Sequence, residues 1–297
     1  MIEHFHRPAS LREAVGLKLR YRGRAAFLAG GTYVNSSACA TCPDRRPERL
    51  PAATTGIGCS RPCAVRPAHV ISLAGLPLDR IEAGKSGLSI GALCTLQRLI
   101  EDRKVPAPLK AASSQVVSRN VREAATLGGH VAGNLPYSDV IPMLVALEAK
   151  VALSGTGRAR TIPVSDYVRK PVAGLVTKIL LPRSGSGRVA ACRNSRASAN
   201  ARSTVSAAVS LTAAKDAVKR PIIALSGIAG HVTRLTAVED ALDGKPLPAL
   251  NELQALVAGS VRPAADLSGG AEFRRYQAGV VVALALRDAW AGKRGRS

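Results

Sequence analysis

The chain has 297 residues, 46% of them hydrophobic, which is longer than one hydrophobic core usually fills, so two domains are expected. Forty-two basic and twenty acidic residues leave a net charge of +22, which is typical of proteins that bind nucleic acid. Aromatic residues make up only 3%, and because base stacking needs such rings this argues against nucleic-acid binding. The sequence shows neither an apolar leader nor an uncharged apolar run of about 18 residues, so a cytoplasmic protein outside the membrane is expected.

The N-terminal residues predict a helix between two strands. A capping-box pattern at residues 10–13 predicts a helix that ends near Tyr21. The apolar run Ala25–Leu28 predicts a strand, and the glycine turn Ala29-Gly30-Gly31-Thr32 follows it directly. Residues 70–73 predict the returning strand, which completes a βαβ-like opening.

The segment from about 34 to 67 is rich in Pro, Arg, Ser and Thr and shows no apolar period. Two short-spaced cysteine pairs in it could supply four thiolates to zinc or to an iron–sulfur cluster. The alternative is a surface loop with incidental cysteines, which the composition also fits. The candidate ligands are Cys39, Cys42, Cys59 and Cys63.

The middle of the chain predicts short elements around a second glycine stretch. A strand is expected at residues 88–91, a helix at 96–101 capped by Thr95, a second helix at 108–117 and a third at 139–149. The glycine stretch, at residues 126–129, precedes the third helix.

Adjacent glycines allow a ligand to lie directly on the backbone. The main-chain N–H groups of Gly128 and Gly129 are expected to form a nest-like anion site. Asp139 could accept from ligand hydroxyls or cap the following helix. Two glycine stretches predict two walls around one elongated, phosphate-bearing ligand, although neither matches the dinucleotide fingerprint or the P-loop and each could be an ordinary turn.

The rest of the chain predicts a second domain. Strands are expected at 151–153 and 175–181, with a turn of helix between them. The joint at residues 184–187 separates a domain at 1–183 from one at 188–297. Three strands, at 188–193, 205–212 and 222–228, then precede helices at 236–242, 250–258 and 271–290, an order typical of a small α+β domain with a three-stranded antiparallel sheet.

Several segments resemble the FAD-binding medium subunit of the molybdenum hydroxylases, a family that includes the xanthine dehydrogenases and carbon monoxide dehydrogenases. The opening residues are most similar to FAD subunits encoded with selenium-dependent xanthine dehydrogenases. The resemblance covers nearly the whole chain apart from about residues 34–67, and it implies an α+β fold with a two-part PCMH-type FAD-binding domain and a small C-terminal α+β domain. It is carried by AGGT (29–32), IGALCTLQRLIED (90–102), ATLGGHVAGNLPYSDVIPMLVALEA (125–149), VTKILLP (176–182) and RRYQAGVVVALAL (274–286).

The resemblance implies an oxidoreductase subunit that contains FAD and has no substrate-hydroxylating residue of its own. Substrate would react on a molybdopterin-binding large subunit, and electrons would pass through [2Fe–2S] clusters on a small subunit to FAD and then to NAD⁺ or another acceptor. A flavin-free scaffold or assembly subunit of the same complex is the alternative, and a basic nucleic-acid-binding protein is a weaker one.

The family's cofactor-binding positions fall on four segments of this sequence. This chain departs from the family's usual residues at Tyr33, commonly Asp or Asn, and at His130, commonly Asn. Arg193, where relatives often have Lys, would stabilise the reduced flavin or would simply be an exposed basic residue. The implied set is Ala29, Gly30, Gly31, Thr32, Tyr33, Val34, Asn35, Thr126, Leu127, Gly128, Gly129, His130, Ser138, Asp139 and Arg193.

Overall fold

The computed structural model describes residues 2–32, 67–116, 118–155, 159–183, 188–195, 197–198, 201–214, 216–265 and 269–292. These residues form twelve strands in three sheets, together with ten α-helices and a 3-10 turn at Arg22–Arg24. In this part of the chain, no helix combines the length and the apolar character that crossing a membrane requires.

A three-stranded parallel sheet begins the fold. It comprises β1 (His4–His6), β3 (His69–Ser72) and β2 (Ala25–Leu28) in that order. Helix α1 (Leu11–Tyr21) starts where the Ser10 hydroxyl accepts from the N–H of Glu13, as the capping pattern predicts. The buried side chains of this helix and sheet form a small core of their own.

A five-stranded antiparallel sheet with helices packed against it follows. Its spatial order is β4-β5-β8-β6-β7, so the last strand of this part of the chain lies at the centre. The strands are β4 (Ile81–Gly84), β5 (Gly87–Gly91), β6 (Lys150–Ser154), β7 (Arg160–Pro163) and β8 (Leu175–Pro182), and the helices are α2 (Leu96–Glu101), α3 (Ala107–Ser114), α4 (Arg119–Ala124), α5 (Leu127–Gly133), α6 (Val140–Ala146) and α7 (Val164–Arg169).

The C-terminal residues form a four-stranded antiparallel sheet and three helices. The strand order is β12-β11-β10-β9, and the two-residue strand β12 adds a fourth strand to the three that the sequence predicts. The elements are β9 (Arg188–Ser195), β10 (Val205–Ala214), β11 (Ala217–Ser226), β12 (Thr233–Arg234), α8 (Thr236–Leu242), α9 (Leu250–Ser260) and α10 (Ala271–Gly292).

Strand β10 connects two cores because its side chains alternate between the faces of the sheet. Ala207 and Val209 belong to the core beneath α9 and α10. Ala208 belongs instead to the core around α6, and the neighbouring Ser210 hydroxyl donates to the carbonyl oxygen of Ala146 at the end of that helix. All seven residues of α6 are buried, so the C-terminal sheet fixes this helix in place.

The α+β fold with a small C-terminal α+β part is confirmed, as are most of the predicted elements. The sequence does not predict β1, β4, β7, β12 or α4, all of them short. The second glycine stretch was expected as a turn and is instead the first turn of helix α5. The helix predicted at 108–117 ends at Ser114, and α4 begins after it.

Candidate functional site

The fold brings the two glycine stretches together. Gly30 follows β2, and a Cβ there would overlap the carbonyl oxygen of Ala124, two residues before the second stretch begins. A Cβ at Gly129 would lie 3.8 Å from the Cβ of Ala29. The segments are 94 or more residues apart in sequence, and bare backbone at Gly30 permits their close contact.

Both stretches line one cleft of about 580 Å³. The walls are mainly apolar, with polar groups at a few positions, which is the usual character of a cofactor site. Strand β2 forms one side and helices α4 and α5 form another. The predicted residues that line it are Ala29, Gly30, Gly31, Thr32, Thr126, Gly128, Gly129, His130 and Asp139.

Gly30, Gly128 and Gly129 differ in which protein atoms an added side chain would meet. At Gly30 and Gly128 a Cβ would overlap protein atoms, the carbonyl of Ala124 in the first case and the Cβ of Ala92 in the second. At Gly129 the nearest protein atoms are the Thr126 hydroxyl oxygen at 2.8 Å and the Ala29 Cβ. Among these three, only Gly129 would bring an added Cβ against side-chain atoms alone, and Gly129 lines the cleft.

The predicted nest of free N–H groups at the second stretch is wrong. The N–H of Gly128 donates to the carbonyl of Ala92 at 2.9 Å, and that of Gly129 donates to the Thr126 hydroxyl oxygen at 3.2 Å. By contrast, the N–H groups of Gly30 and Gly31 donate to no group within the described part of the chain. Main-chain donors for an anionic ligand therefore come from the first stretch, where Gly31 has a positive φ of 74°.

Thr126 caps α5 and still has a donor to offer. Its hydroxyl oxygen accepts from Gly129 N–H, and a hydroxyl keeps one O–H to donate. The residue is 7% exposed and lines the cleft. The second stretch thus presents the Thr126 hydroxyl as a donor, whereas the N–H groups of its two glycines are already bonded within the protein.

Ser138 and Asp139 divide the roles that the sequence assigned to Asp139 alone. The Ser138 hydroxyl oxygen accepts from the N–H groups of Val140, at 3.2 Å, and Ile141, at 2.8 Å, so Ser138 makes the cap of α6. Asp139 occupies the N-cap position but its side chain makes no capping bond, which corrects the capping role considered for it. Asp139 lines the cleft, whereas Ser138 is buried behind it.

The carboxylate of Asp139 joins the two parts of the protein. One oxygen accepts from the hydroxyl of Ser203 at 2.5 Å and from the side-chain amide of Asn194 at 3.2 Å. Both donors belong to the C-terminal sheet region, and Asp139 is only 8% exposed. The position of this carboxylate at the cleft therefore depends on both parts of the chain.

The ring of His130 contacts Ser138, its Nε2 lying 2.7 Å from the Ser138 hydroxyl oxygen. Loss of hydration inside the protein lowers the pKa of His130 from 6.5 to about 4. The imidazole is therefore uncharged near neutral pH.

This shift predicts a pH-dependent stability. In the unfolded chain His130 takes up a proton near pH 6.5, whereas in the folded protein it does so near pH 4, so folding loses stability as pH falls through that interval. The full shift corresponds to about 3 kcal/mol at 1.36 kcal/mol per pKa unit. Urea unfolding at about pH 4.5 and 7.5 is expected to show a smaller pH effect in His130→Asn than in the wild type. His231→Asn is the matched control, and equal pH effects in the wild type and His130→Asn would contradict the assignment.

Three predicted positions lie away from the cleft lining. Leu127 is fully buried in the core, and Ser138 acts from behind His130. Arg193 is half exposed on β9 and pairs with Asp288 of α10, which raises the pKa of the guanidinium. Its role beside a flavin stays a prediction.

Some predicted positions lie outside the described residues. These are three from the first stretch and the four cysteines of the insertion: Tyr33, Val34, Asn35, Cys39, Cys42, Cys59 and Cys63. Among the described residues no cluster of His, Cys, Asp and Glu has the geometry to hold a metal ion. The zinc or iron–sulfur site at the cysteines stays a prediction.

Sequence reasoning missed Lys18, Tyr137 and Arg202, which also line the cleft. The Lys18 ammonium donates to the carbonyl oxygens of Arg22 and Ala25, and burial lowers its pKa. Tyr137 lies beneath the buried guanidinium of Arg274, 5.5 Å from ring centre to carbon. Tyr137 is two residues before Asp139, so its place in the sequence could have identified it as a cleft residue. No feature of the sequence indicates that Lys18 or Arg202 lies at the cleft.

The fold and a cleft lined by two glycine stretches are typical of a cofactor-binding protein. Comparison with known families places it more narrowly. Residues 54–184 match the family "FAD binding domain in molybdopterin dehydrogenase", and residues 190–289 match "CO dehydrogenase flavoprotein C-terminal domain". The chain belongs to the FAD-binding medium subunits of the molybdenum hydroxylases.

Individual relatives support this membership over the full length. The chain is 34% identical to "Uncharacterized protein YgfM" of Escherichia coli (strain K12), over 97% of this chain and 96% of that protein. It is 27% identical to the carbon monoxide dehydrogenase medium chain of Hydrogenophaga pseudoflava, over 97% and 96%. A solved carbon monoxide dehydrogenase from that organism has a TM-score of 0.83 at 26% identity, covering 97% of each chain. A quinoline 2-oxidoreductase from Pseudomonas putida 86, at 18% identity and a TM-score of 0.81, shares the fold.

Proposed function

We propose that this chain carries FAD in the cleft and transfers electrons within a xanthine dehydrogenase-like complex. The electrons come from [2Fe–2S] clusters on a small subunit, after substrate has reacted on a molybdopterin-binding large subunit, and they leave to NAD⁺ or another acceptor. Bound FAD supplies the redox chemistry. The chain binds and orients it, and we propose that the complex works in the cytoplasm.

The observation that carries this proposal is the meeting of the two glycine stretches along one cleft. The residues present fit the cofactor chemically. Gly30 and Gly31 offer main-chain N–H donors, Thr126 offers an O–H, and the bare backbone of Gly129 leaves space that a side chain would fill. Asp139 brings a carboxylate that can accept from ribityl or ribose hydroxyls.

Two further proposals concern the organisation of the chain. We place the domain boundary at residues 184–187, between the two segments that match the two family descriptions.

We also propose that the four cysteines of the insertion bind zinc or an iron–sulfur cluster. Metal analysis of the purified chain tests that proposal, and less than about one equivalent of either metal would overturn it.

The spectrum of the purified chain tests the main proposal. We expect flavin absorption bands at close to one FAD per chain and, in the assembled complex, bleaching of these bands when substrate is added without an acceptor. Reoxidation by NAD⁺, compared with reoxidation by an artificial acceptor, identifies the physiological acceptor. A colourless chain that still joins the large and small subunits would favour the scaffold alternative and overturn the electron-transfer role.

A further inference from the structure

Three histidines, none of which lines the cleft, lie together at the edge of the parallel sheet. His4 and His6 belong to the edge strand β1, and His69 belongs to the central strand β3, where it pairs with His4. The ring of His69 stacks on that of His4 with 4.7 Å between the centroids, and the ring of Tyr21 stacks on His69 at 3.7 Å. We call His4, His6 and His69 the histidine cluster.

One contact in the histidine cluster limits the positive charge that it can carry. Nε2 of His6 and Nδ1 of His69 lie 3.1 Å apart, so one nitrogen donates a proton and the other accepts it. This bond can persist when one of the two rings is charged, because one of the two nitrogens can still accept. If both rings are charged, both nitrogens carry a proton, the acceptor is lost and two like charges face each other.

The surroundings of the cluster also oppose positive charge. His69 is only 6% exposed, and loss of hydration is the largest cause that lowers its pKa. The charges of the other two histidines and of Arg24 act in the same direction, and Glu3 acts against them. Among the described residues, the charged and titratable groups around the cluster are Glu3, Lys18, Arg20, Tyr21 and Arg24, of which three are cationic and one is a carboxylate.

Strand β1 is the part of the sheet that this repulsion separates most easily. It is three residues long, lies at the edge of the sheet and pairs with β3 alone among the described strands. Local opening of such a strand costs less free energy than unfolding of the domain. In the open state the rings are hydrated and apart, so a second proton meets no repulsion. Falling pH therefore favours the open state.

The histidine cluster is also connected to the wall of the cleft. Gly23 and Pro67 line the cleft. Tyr21 lies two residues before Gly23, and His69 lies two residues after Pro67. Because the rings of Tyr21 and His69 stack, they hold these two parts of the wall together.

We propose that the histidine cluster is an acid-sensitive latch: when His6 and His69 both become protonated, β1 separates from β3 and the cleft wall at Gly23 and Pro67 loosens. The latch itself depends on no ligand. Its effect on the cofactor rests on the proposed function, and FAD is expected to leave the cleft faster at acidic pH.

Hydrogen exchange of the FAD-free chain measures the latch, with mass spectrometry of the peptide at residues 2–8. If the open state binds one proton more than the closed state, the opening constant rises by up to about tenfold per pH unit below pH 6.5. We expect the protection factor of this peptide, corrected for the intrinsic pH dependence of exchange, to fall with that slope down to about pH 5. Peptides of β10 are expected to keep their protection.

Matched variants identify the groups that take up the proton. His69→Gln and His6→Gln each leave one ring of the bonded pair, so both should lose most of the slope, and His6→Gln changes an edge strand alone if the other variant folds poorly. His130→Asn and His231→Asn are the controls and should keep the wild-type slope. A wild-type slope in His6→Gln would overturn the latch, as would an equal fall in the protection of β10.

Release of FAD tests the connection to the cleft. We expect the release rate from the loaded chain, followed by flavin fluorescence, to rise as pH falls below 6.5 in the wild type and to rise less in His6→Gln. Equal rises in the two proteins would overturn the effect on the cleft. A chain that binds no FAD would overturn the proposed function, whereas hydrogen exchange still decides whether the latch exists.

Discussion

Replacing Gly129 by valine is expected to abolish retention of FAD while the chain still folds. A Cβ at this position lies 2.8 Å from the Thr126 hydroxyl oxygen and 3.8 Å from the Ala29 Cβ, so the two further methyl groups of valine would fill the space between the glycine stretches. Valine is a better helix former than glycine, so helix α5 itself loses nothing from the change. Displacing the Thr126 cap costs about 1 kcal/mol, which an ordinary domain tolerates.

The measurement is the ratio of flavin to protein after purification, together with the thermal unfolding midpoint. Gly128→Ala is the matched variant in the neighbouring position, because its Cβ would overlap the Ala92 side chain and not enter the cleft. That substitution is expected to lower stability by about 1–3 kcal/mol, as overpacking does. Gly16 is an exposed helical residue, and an added Cβ there would have no atom within 4 Å. We expect Gly16→Ala to lower neither the ratio of flavin to protein nor the thermal unfolding midpoint. Flavin retained at wild-type level in Gly129→Val would exclude the cleft as the FAD site.

The contrast between these glycines shows that the local sequence does not predict which atoms pack against each of them. A Gly-Gly pair in the sequence marks backbone that needs freedom or close approach. The atoms that lie against each glycine belong to residues far away in sequence. Gly128 packs against Ala92, and Gly30 packs against Ala124. The sequence marked both stretches, which line one cleft, but it gave no sign that Ala92 packs where a side chain of Gly128 would lie.

The caps show which local features the sequence does determine. Ser10 and Thr95 each accept from the N–H three residues ahead, as their spacing predicts. At the start of α6 the sequence offers Asp139 as the cap, but the neighbouring Ser138 makes the capping bonds instead. The choice was made by distant groups, because Asn194 and Ser203 bind the Asp139 carboxylate and leave the cap to Ser138.

Replacing Asp139 by alanine is expected to lower both FAD affinity and stability. The carboxylate holds the Ser203 hydroxyl and the Asn194 amide, and a hydrogen bond to a charged group contributes about 1.5–3 kcal/mol. Its loss removes the acceptor that these two donors share between α6 and the C-terminal sheet. FAD loses an acceptor for its hydroxyls at the same time, so the affinity should fall by on the order of 10-fold or more.

Ser203→Ala separates the two effects because it removes one donor to Asp139 and leaves the carboxylate in the cleft. We expect this variant to lose stability but to bind FAD within a few-fold of the wild type. Urea unfolding of the FAD-free chain gives the stability difference, and flavin fluorescence titration gives the affinity. If Asp139 contacts FAD directly, Asp139→Ala must weaken FAD binding more than Ser203→Ala does. If both variants weaken FAD binding equally, Asp139 acts only by joining the two parts of the protein.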